Sequence, residues 1–344
     1  MSGAVYLAGA GAVASVGIGL PAVSAAVRAR INQFRKSPRY PSTTTGQPLT
    51  LARLPGAETV PGEVARLRQM ALMAAADCVA TLRVTAPVPV FLSLPAERPG
   101  WGEAEIARLA AEVITNLPCP ADADRSRMVA TGHHGGLALM GEAAALIAAG
   151  EAEMCLVGGL ESQGQATLDW LDRQGRLKGD EAPMGLIPGE GAGFVMLTSA
   201  AHIADLSQAV LLQAAAQAEE PSPWYDGAPN TGDGLSTVLK ALLDPEGHQA
   251  DVTYCDQNGE VWRSDEWSTA YLRTGAKHGH PLDLQHPADC WGDVGAASGP
   301  LLAALAWRDL THAAPGGPQS ALVYCASDTN PHRSAVLLAA QQQA

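Results

Sequence analysis

The sequence predicts an α/β protein of alternating strands and helices, and three observations carry that prediction. Short apolar runs of strand length alternate with longer stretches of helical periodicity. Glycine clusters punctuate the junctions between them, as crossover turns require. The same order of elements is traversed twice, which predicts two similar halves, 1–205 and 206–344, forming one compact unit.

Taken in order, Ala4–Ala10 reads as a strand and Gly9-Ala10-Gly11 as a glycine loop, with a helical stretch following to about Ile31. Residues 36–61 are rich in Pro, Thr, Ser and Gly and read as an irregular excursion. Glu63–Leu82 has helical periodicity, Val88–Leu94 is a strand between two prolines, and Gly102–Asn116 is a helix whose first-turn acids suit its dipole. Arg127–Ala130 is a short strand, and the turn Thr131-Gly132-His133-His134-Gly135-Gly136 opens an Ala/Leu helix to about Ala149. That helix is apolar enough to predict burial on all sides. Met154–Leu160 and Phe194–Leu197 are buried strands. The second half repeats the grammar with strands near 209–216 and 252–256, helices near 233–243 and 264–273, a glycine-led buried helix over 292–307, and paired strands at 321–326 and 334–338.

Composition excludes several function classes. With 47% hydrophobic and 17% charged residues there is ample chain for a buried core. The 36 glycines and only 5% aromatics point to close backbone packing. A net charge of −13 leaves no basic surface to neutralise phosphates, so nucleic acid is excluded as a partner. The apolar stretch 4–26 has no basic flank and is broken by glycines and a proline, so no membrane span is expected. Cys78, Cys119, Cys155, Cys255, Cys290 and Cys325 lack metal-type spacing and read as buried thiols of a cytoplasmic protein, with no cofactor or metal expected.

The run Gly189-Glu190-Gly191-Ala192-Gly193 followed by the apolar Phe194-Val195-Met196-Leu197 resembles β-ketoacyl-carrier-protein synthases of the thiolase-like superfamily. Three further stretches resemble that family in the same order: Val5–Gly17, then Gly141-Glu142-Ala143-Ala144 with Gly158-Gly159, then Gly295-Ala296-Ala297-Ser298-Gly299. The resemblance covers nearly the whole chain. It implies a thiolase-like five-layer αβαβα fold of two similar halves, a homodimer or a ketosynthase-type heterodimer with Met154–Leu160 matching the family's dimer edge, and a site between the halves.

By that resemblance the nucleophilic cysteine falls on His133, the two catalytic histidines on Asn258 and Asp293, and the accompanying lysine on Ala288. No Cys or Ser lies between Thr131 and Met140, so a thiolate activated at a helix N-terminus is absent there. The sequence therefore reads as a ketosynthase-like protein lacking the Cys-His-His triad, acting as partner subunit, scaffold or accessory protein. The resemblance extends to non-condensing subunits of ketosynthase pairs and to thiolase-like proteins of bacterial accessory loci, including those beside type VI secretion effectors. Two alternatives stay open. One is a thioester hydrolase or acyltransferase with His133 as base, Asp293 orienting it and Asn258 as oxyanion donor. The other is a metal site from His133, His134, Asp293 and Asp256. The bland reading has one of the two histidines filling a vacated pocket and the other facing outward. Glu190 reads as a structural acid satisfying loop amides, and Trp262 and Trp291, beside two replaced positions, as plugs of an old tunnel, though with Trp224 and Trp267 they would also suit a recognition patch.

Overall fold

The computed structural model describes residues 3–56, 60, 62–180, 182–203, 209–279 and 282–341. The expected boundary between the halves, at 205/206, lies outside the described residues. The first half runs β1 (Val5–Ala14), β2 (Gly17–Ile18), α1 (Leu20–Arg28), β3 (Phe34–Pro41), β4 (Pro48–Ala52), α2 (Glu63–Val79), β5 (Val88–Ser93), α3 (Glu103–Asn116), β6 (Ala121–Val129), α4 (Gly135–Ala148), β7 (Met154–Glu161), α5 (Gln165–Arg173) and β8 (Gly191–Ser199). The second runs β9 (Val210–Glu219), α6 (Asp233–Leu243), β10 (Val252–Cys255), α7 (Val261–Thr274), β11 (Leu284–Gln285), α8 (Ala288–Trp291), α9 (Ser298–Thr311), β12 (Ser320–Ala326) and β13 (His332–Ala340).

The main sheet follows the order β11-β10-β12-β13-β9-β1-β8-β7-β5-β6. Read outward from its middle, each half has the same topology. Its first strand pairs antiparallel with its last, the last antiparallel with its predecessor, and the two outer pairs are parallel; the short β2 adds an antiparallel pair with β1 in the first half alone. Among the described residues the two half-sheets are joined strand to strand by the β1–β9 pair, at Tyr6↔Leu211 and Leu7↔Val210. The sheet is thus mixed rather than purely parallel, for a local reason. The short turn from β12 to β13 can close only an antiparallel pair, and β7 and β8 are likewise antiparallel neighbours.

Helices complete five layers. Helix α2 packs on β1, β7 and β8 with α3 against it; α6 packs on β9 and β13 with α7 beside it; α4 and α9 lie between the two half-sheets and touch both. Three apolar clusters follow from this layering, the largest around α4 and α9. Within it α9 buries Leu301, Leu302, Leu305 and Leu310, each contributing about 1.5–3 kcal/mol.

Several sequence expectations are corrected here. Gly9 and Gly11 are not a loop but lie inside β1, which continues to Ala14. A Cβ at Gly11 would sit 2.1 Å from Ala74 O, so the strand uses glycine where α2 presses on it. The excursion after residue 33 is an ordered hairpin, β3 paired with β4; residues 57–59 and 61 of that stretch are outside the described residues. Helix α4 is not buried on all sides: Ala143 and Ile147 are buried, but Ala145 and Ala148 of the same turns are exposed. Strand β7, matched to a dimer edge, is internal, bonded to β5 and β8; the ends of the sheet are β6 and β11.

The central helices cross closely because each has glycine at the contact. A Cβ at Gly136 would lie 2.3 Å from Pro300 Cδ, and one at Gly299 would lie 2.9 Å from Leu137 Cγ. Gly136→Ala is therefore expected to destabilise by about 1–3 kcal/mol through overpacking. Urea unfolding checks this, and a loss below about 0.5 kcal/mol would mean that the crossing has slack.

Candidate functional site

The turn between β6 and α4 places His133 at the head of the central helix, facing the second half. Asn330 Nδ2 and Ser327 Oγ donate to Thr131 O at 2.9 and 3.3 Å, so the loop after β12 holds the turn. Asp293 comes from the segment preceding α9. Its backbone is clamped by Asp293 N–H donating to Ile187 O and by Gly189 N–H donating to Asp293 O, both at 2.7 Å. The glycine run that opens β8 thereby positions Asp293. Glu190 in that run accepts the Leu54 amide at 2.9 Å but is held chiefly by Arg53 at 2.6 Å and Arg66 at 3.2 Å.

His133, Asn258 and Asp293 meet in one cluster. His133 Nε2 donates to Asp293 Oδ2 at 3.0 Å, and Asn258 Nδ2 donates to the same oxygen. The other ring nitrogen, Nδ1, lies 3.3 Å from Asp328 Oδ1, an ion-pair distance with poor hydrogen-bond alignment. Asp328 also accepts from Arg176 Nη2 at 2.8 Å, and Arg176 forks onto Glu260 at 2.7 and 2.9 Å. Asn258 turns its backbone through Oδ1, which accepts the Glu260 amide at 3.0 Å. Below them Arg263 pairs with Asp256 at 2.7 Å. All of these side chains except Asn258 and Asp328 belong to fully buried residues.

This arrangement fixes the charge on His133. Burial works against a positive imidazole, but the carboxylates of Asp293 and Asp328 outweigh it and push the group up to about 10. Burial likewise opposes charge on Asp293 and Asp328, and His133 with Arg263 nearby holds both below the ordinary carboxylate range. Both carboxylates favour the protonated form of His133, and in that form the ring has no lone pair for proton abstraction or attack.

His134 does not face outward as one of the pair was expected to. It is buried, with Nδ1 3.2 Å from Ser334 Oγ and its ring 5.1 Å from that of His332; burial, with His332 and Arg333 adding to it, lowers it to about 3. It therefore diverges from His133, Asp293 and Asp256, and among the described residues no three His, Cys, Asp or Glu side chains are grouped to hold a metal. Ala288, at the lysine position, opens the short α8. All six cysteines are buried and unpaired.

Little space remains. A cavity bounded by His133, Arg98, Glu161, Trp170, Asp293 and Asp328 has room of about 20 Å³, and one behind Asp293, bounded by Cys255, Trp291 and Leu302, about 10 Å³. Each suits a water molecule and neither an acyl chain. Trp291 fills the inner side of the site. Trp262 instead stacks on Trp224 at 5.9 Å, with the Arg263 guanidinium 4.4 Å from its ring centre. Sequence reasoning did not single out Arg176, Arg263 or Asp328; a charge in a polar loop carries no mark of where it will be buried.

No family profile matches the chain, and no curated protein does. Solved structures do. The ishigamide ketosynthase/chain length factor superposes with a TM-score of 0.77 at 18% identity, covering 99% of this chain and 100% of that one. The fold is that of the thiolase-like ketosynthases. A type II polyketide synthase ketosynthase in complex with its acyl-carrier protein, AntDE:AntF, gives 0.76 at 14% identity over 99% and 100% of the two chains. The ketosynthase from module 6 of the bacillaene synthase of Bacillus subtilis 168 gives 0.77 at 14%, with 99% of this chain and 72% of that one covered. Among the described residues no helix is long and apolar enough to cross a membrane.

An imidazole held at about 10 when folded, against 6.5 when free, adds stability that is complete below pH 6.5 and is lost as pH rises through 10. Asp293 and Asp328, held below 3.8, add stability that is present above that pH and is lost on acidification. His133→Gln is expected to cost about 3 kcal/mol near neutral pH, since it leaves buried carboxylates unpaired. It should also flatten the alkaline decline between pH 6.5 and 10. Urea titrations across that range check both, and an unchanged slope would mean that folded His133 is neutral.

Proposed function

We propose that the chain is a catalytically degenerate, ketosynthase-like protein that works through protein contacts, as a partner subunit, scaffold or accessory protein of an acyl-assembly or bacterial secretion system. One observation carries this reading: the head of the central helix, where a nucleophile would stand, holds a buried histidine whose two ring nitrogens lie 3.0 and 3.3 Å from the carboxylates of Asp293 and Asp328. Condensation needs a thiolate there and neutral donors opposite. His133, Asn258 and Asp293 are the degenerate positions on this reading, and the two halves, 1–205 and 206–344, act as one compact unit. The competing reading, thioester hydrolysis with His133 as base, draws on the 3.0 Å His133–Asp293 bond and the water-sized cavity beside it. It needs an imidazole lone pair, which a doubly paired imidazolium lacks.

Incubation with a panel of acyl-CoA and acyl-carrier thioesters, followed by intact-protein mass and thioester loss, separates the readings. We expect neither an adduct nor accelerated hydrolysis. Turnover that disappears in His133→Ala while the variant stays folded would establish the enzyme instead.

A contact surface is at hand. Strand β6 stands at the end of the sheet with Met128 exposed, and Arg127 ties it to Glu142 of α4 at 2.7 Å. Beside them the small, exposed Ala145 and Ala148 leave a central-layer helix uncovered. We assign this face to a second subunit, either a copy of the chain or a related one. Ala145→Glu should convert an assembled protein to monomers in sedimentation velocity; assembly unaffected by that charge would move the interface elsewhere.

A further inference from the structure

The cluster around Arg176 has the form of a recognition site with its ligand already in place. Arg176 comes from the segment after α5. That segment, the β3–β4 hairpin and α5 share a small apolar cluster, Leu49, Leu51, Leu168, Leu171, Leu177 and Leu186, separate from the large cores. Together they form a cap over His133, because Trp170, Leu171 and Leu186 roof the cavity beside it. A unit with its own small core can undock at lower cost than the main body unfolds.

Beneath the cap the second half offers a slot of defined chemistry. Glu260 receives the Arg176 fork in parallel, Nε to Oε1 at 2.7 Å and Nη2 to Oε2 at 2.9 Å, and Asp328 receives Nη2 at 2.8 Å. The guanidinium carbon lies 5.1 Å from the centre of the Trp224 ring, and Trp224 is itself fixed by donating to Asp328 O at 3.2 Å. Two carboxylates and an indole face match a planar, delocalised cation and match an ammonium poorly. The rim is apolar as well. Tyr225, Val261 and Met184 are 41%, 48% and 61% exposed. Tyr225 adjoins Trp224 and Val261 adjoins Glu260, while Met184 precedes Gly185, whose segment pairs back on Arg176 through Leu186 N–H to Arg176 O at 2.9 Å.

We propose that Glu260, Asp328 and Trp224 form an arginine-recognition site, occupied in cis by Arg176 and open, when the cap undocks, to an arginine on an apolar segment of a partner protein. This goes beyond the partner-subunit reading and does not rest on it, because the slot's chemistry is tested without any partner.

Arg176→Ala vacates the slot and keeps its walls. The variant is expected to bind methylguanidinium in the millimolar range, with a rise in Tm and a change in tryptophan fluorescence. Methylammonium at equal ionic strength, and the wild-type chain, should show neither, and adding Glu260→Gln should abolish the response. A blocked Leu-Arg-Leu tripeptide should bind the variant more tightly than methylguanidinium, with Leu-Lys-Leu failing to do so. If Arg176→Ala does not fold, Arg176→Gln, which keeps most of the stem and removes the charge, carries the same titrations. A folded variant that ignores methylguanidinium, or answers both cations alike, overturns the site. Equal affinity for tripeptide and free cation overturns the protein-borne ligand.

Discussion

The constraint on which the rest of the structure depends is the burial of charge where the two halves meet. His133, Arg176 and Arg263 face Asp256, Glu260, Asp293 and Asp328 in the low-dielectric joint between the half-sheets. Any one of these ions alone would cost several kcal/mol to bury. Together they are tolerable only in one geometry, because each carboxylate has its cation within hydrogen-bond or ion-pair distance. Such clusters add less to stability than to specificity: two apolar faces can slide, whereas this joint has a single register. His133 and Arg176 come from the first half and their partners from the second, so the cluster is also the polar cross-link between them.

The central helices make that geometry possible. The glycines at the α4–α9 crossing bring the head of α4 within reach of the segment that precedes α9, and the ladder from Ile187 to Gly189 fixes the backbone of Asp293. Strands and helices of both halves deliver side chains to this junction, where they converge on an ion cluster with water-sized gaps. The cluster is closed and its cations and carboxylates are paired, while His133 Nδ1, Asp256 Oδ1 and two nitrogens of Arg263 lack an aligned hydrogen-bond partner.

Two exposed features lie at the periphery. The exposed Ala145 and Ala148 of α4 beside the end strand β6, and the apolar rim around the Arg176 slot, are places where the chain presents apolar groups to solvent. They lie on different elements, so one can serve assembly and the other recognition without competing for the same residues.

By itself the sequence determined the alternation of elements, the apolar central helices and the missing thiol at Thr131–Met140. These are local properties: periodicity, glycine placement and residue identity need no knowledge of distant neighbours. It also named His133, Asn258 and Asp293, because the motifs around them keep their order along the chain. Tertiary structure alone decided the rest. Gly9 and Gly11 read as a loop until α2 is seen pressing on β1, and β7 read as an edge until β5 and β8 are seen on both sides of it. The charge on His133 was invisible in sequence, since it is set by Asp328, 195 positions away, and by Asp293, 160 positions away. Arg176 carried no local mark at all. Electrostatics in a buried joint depends on what the fold brings within a few ångströms, and hydrophobic pattern fixes which faces are buried without fixing which charges meet there.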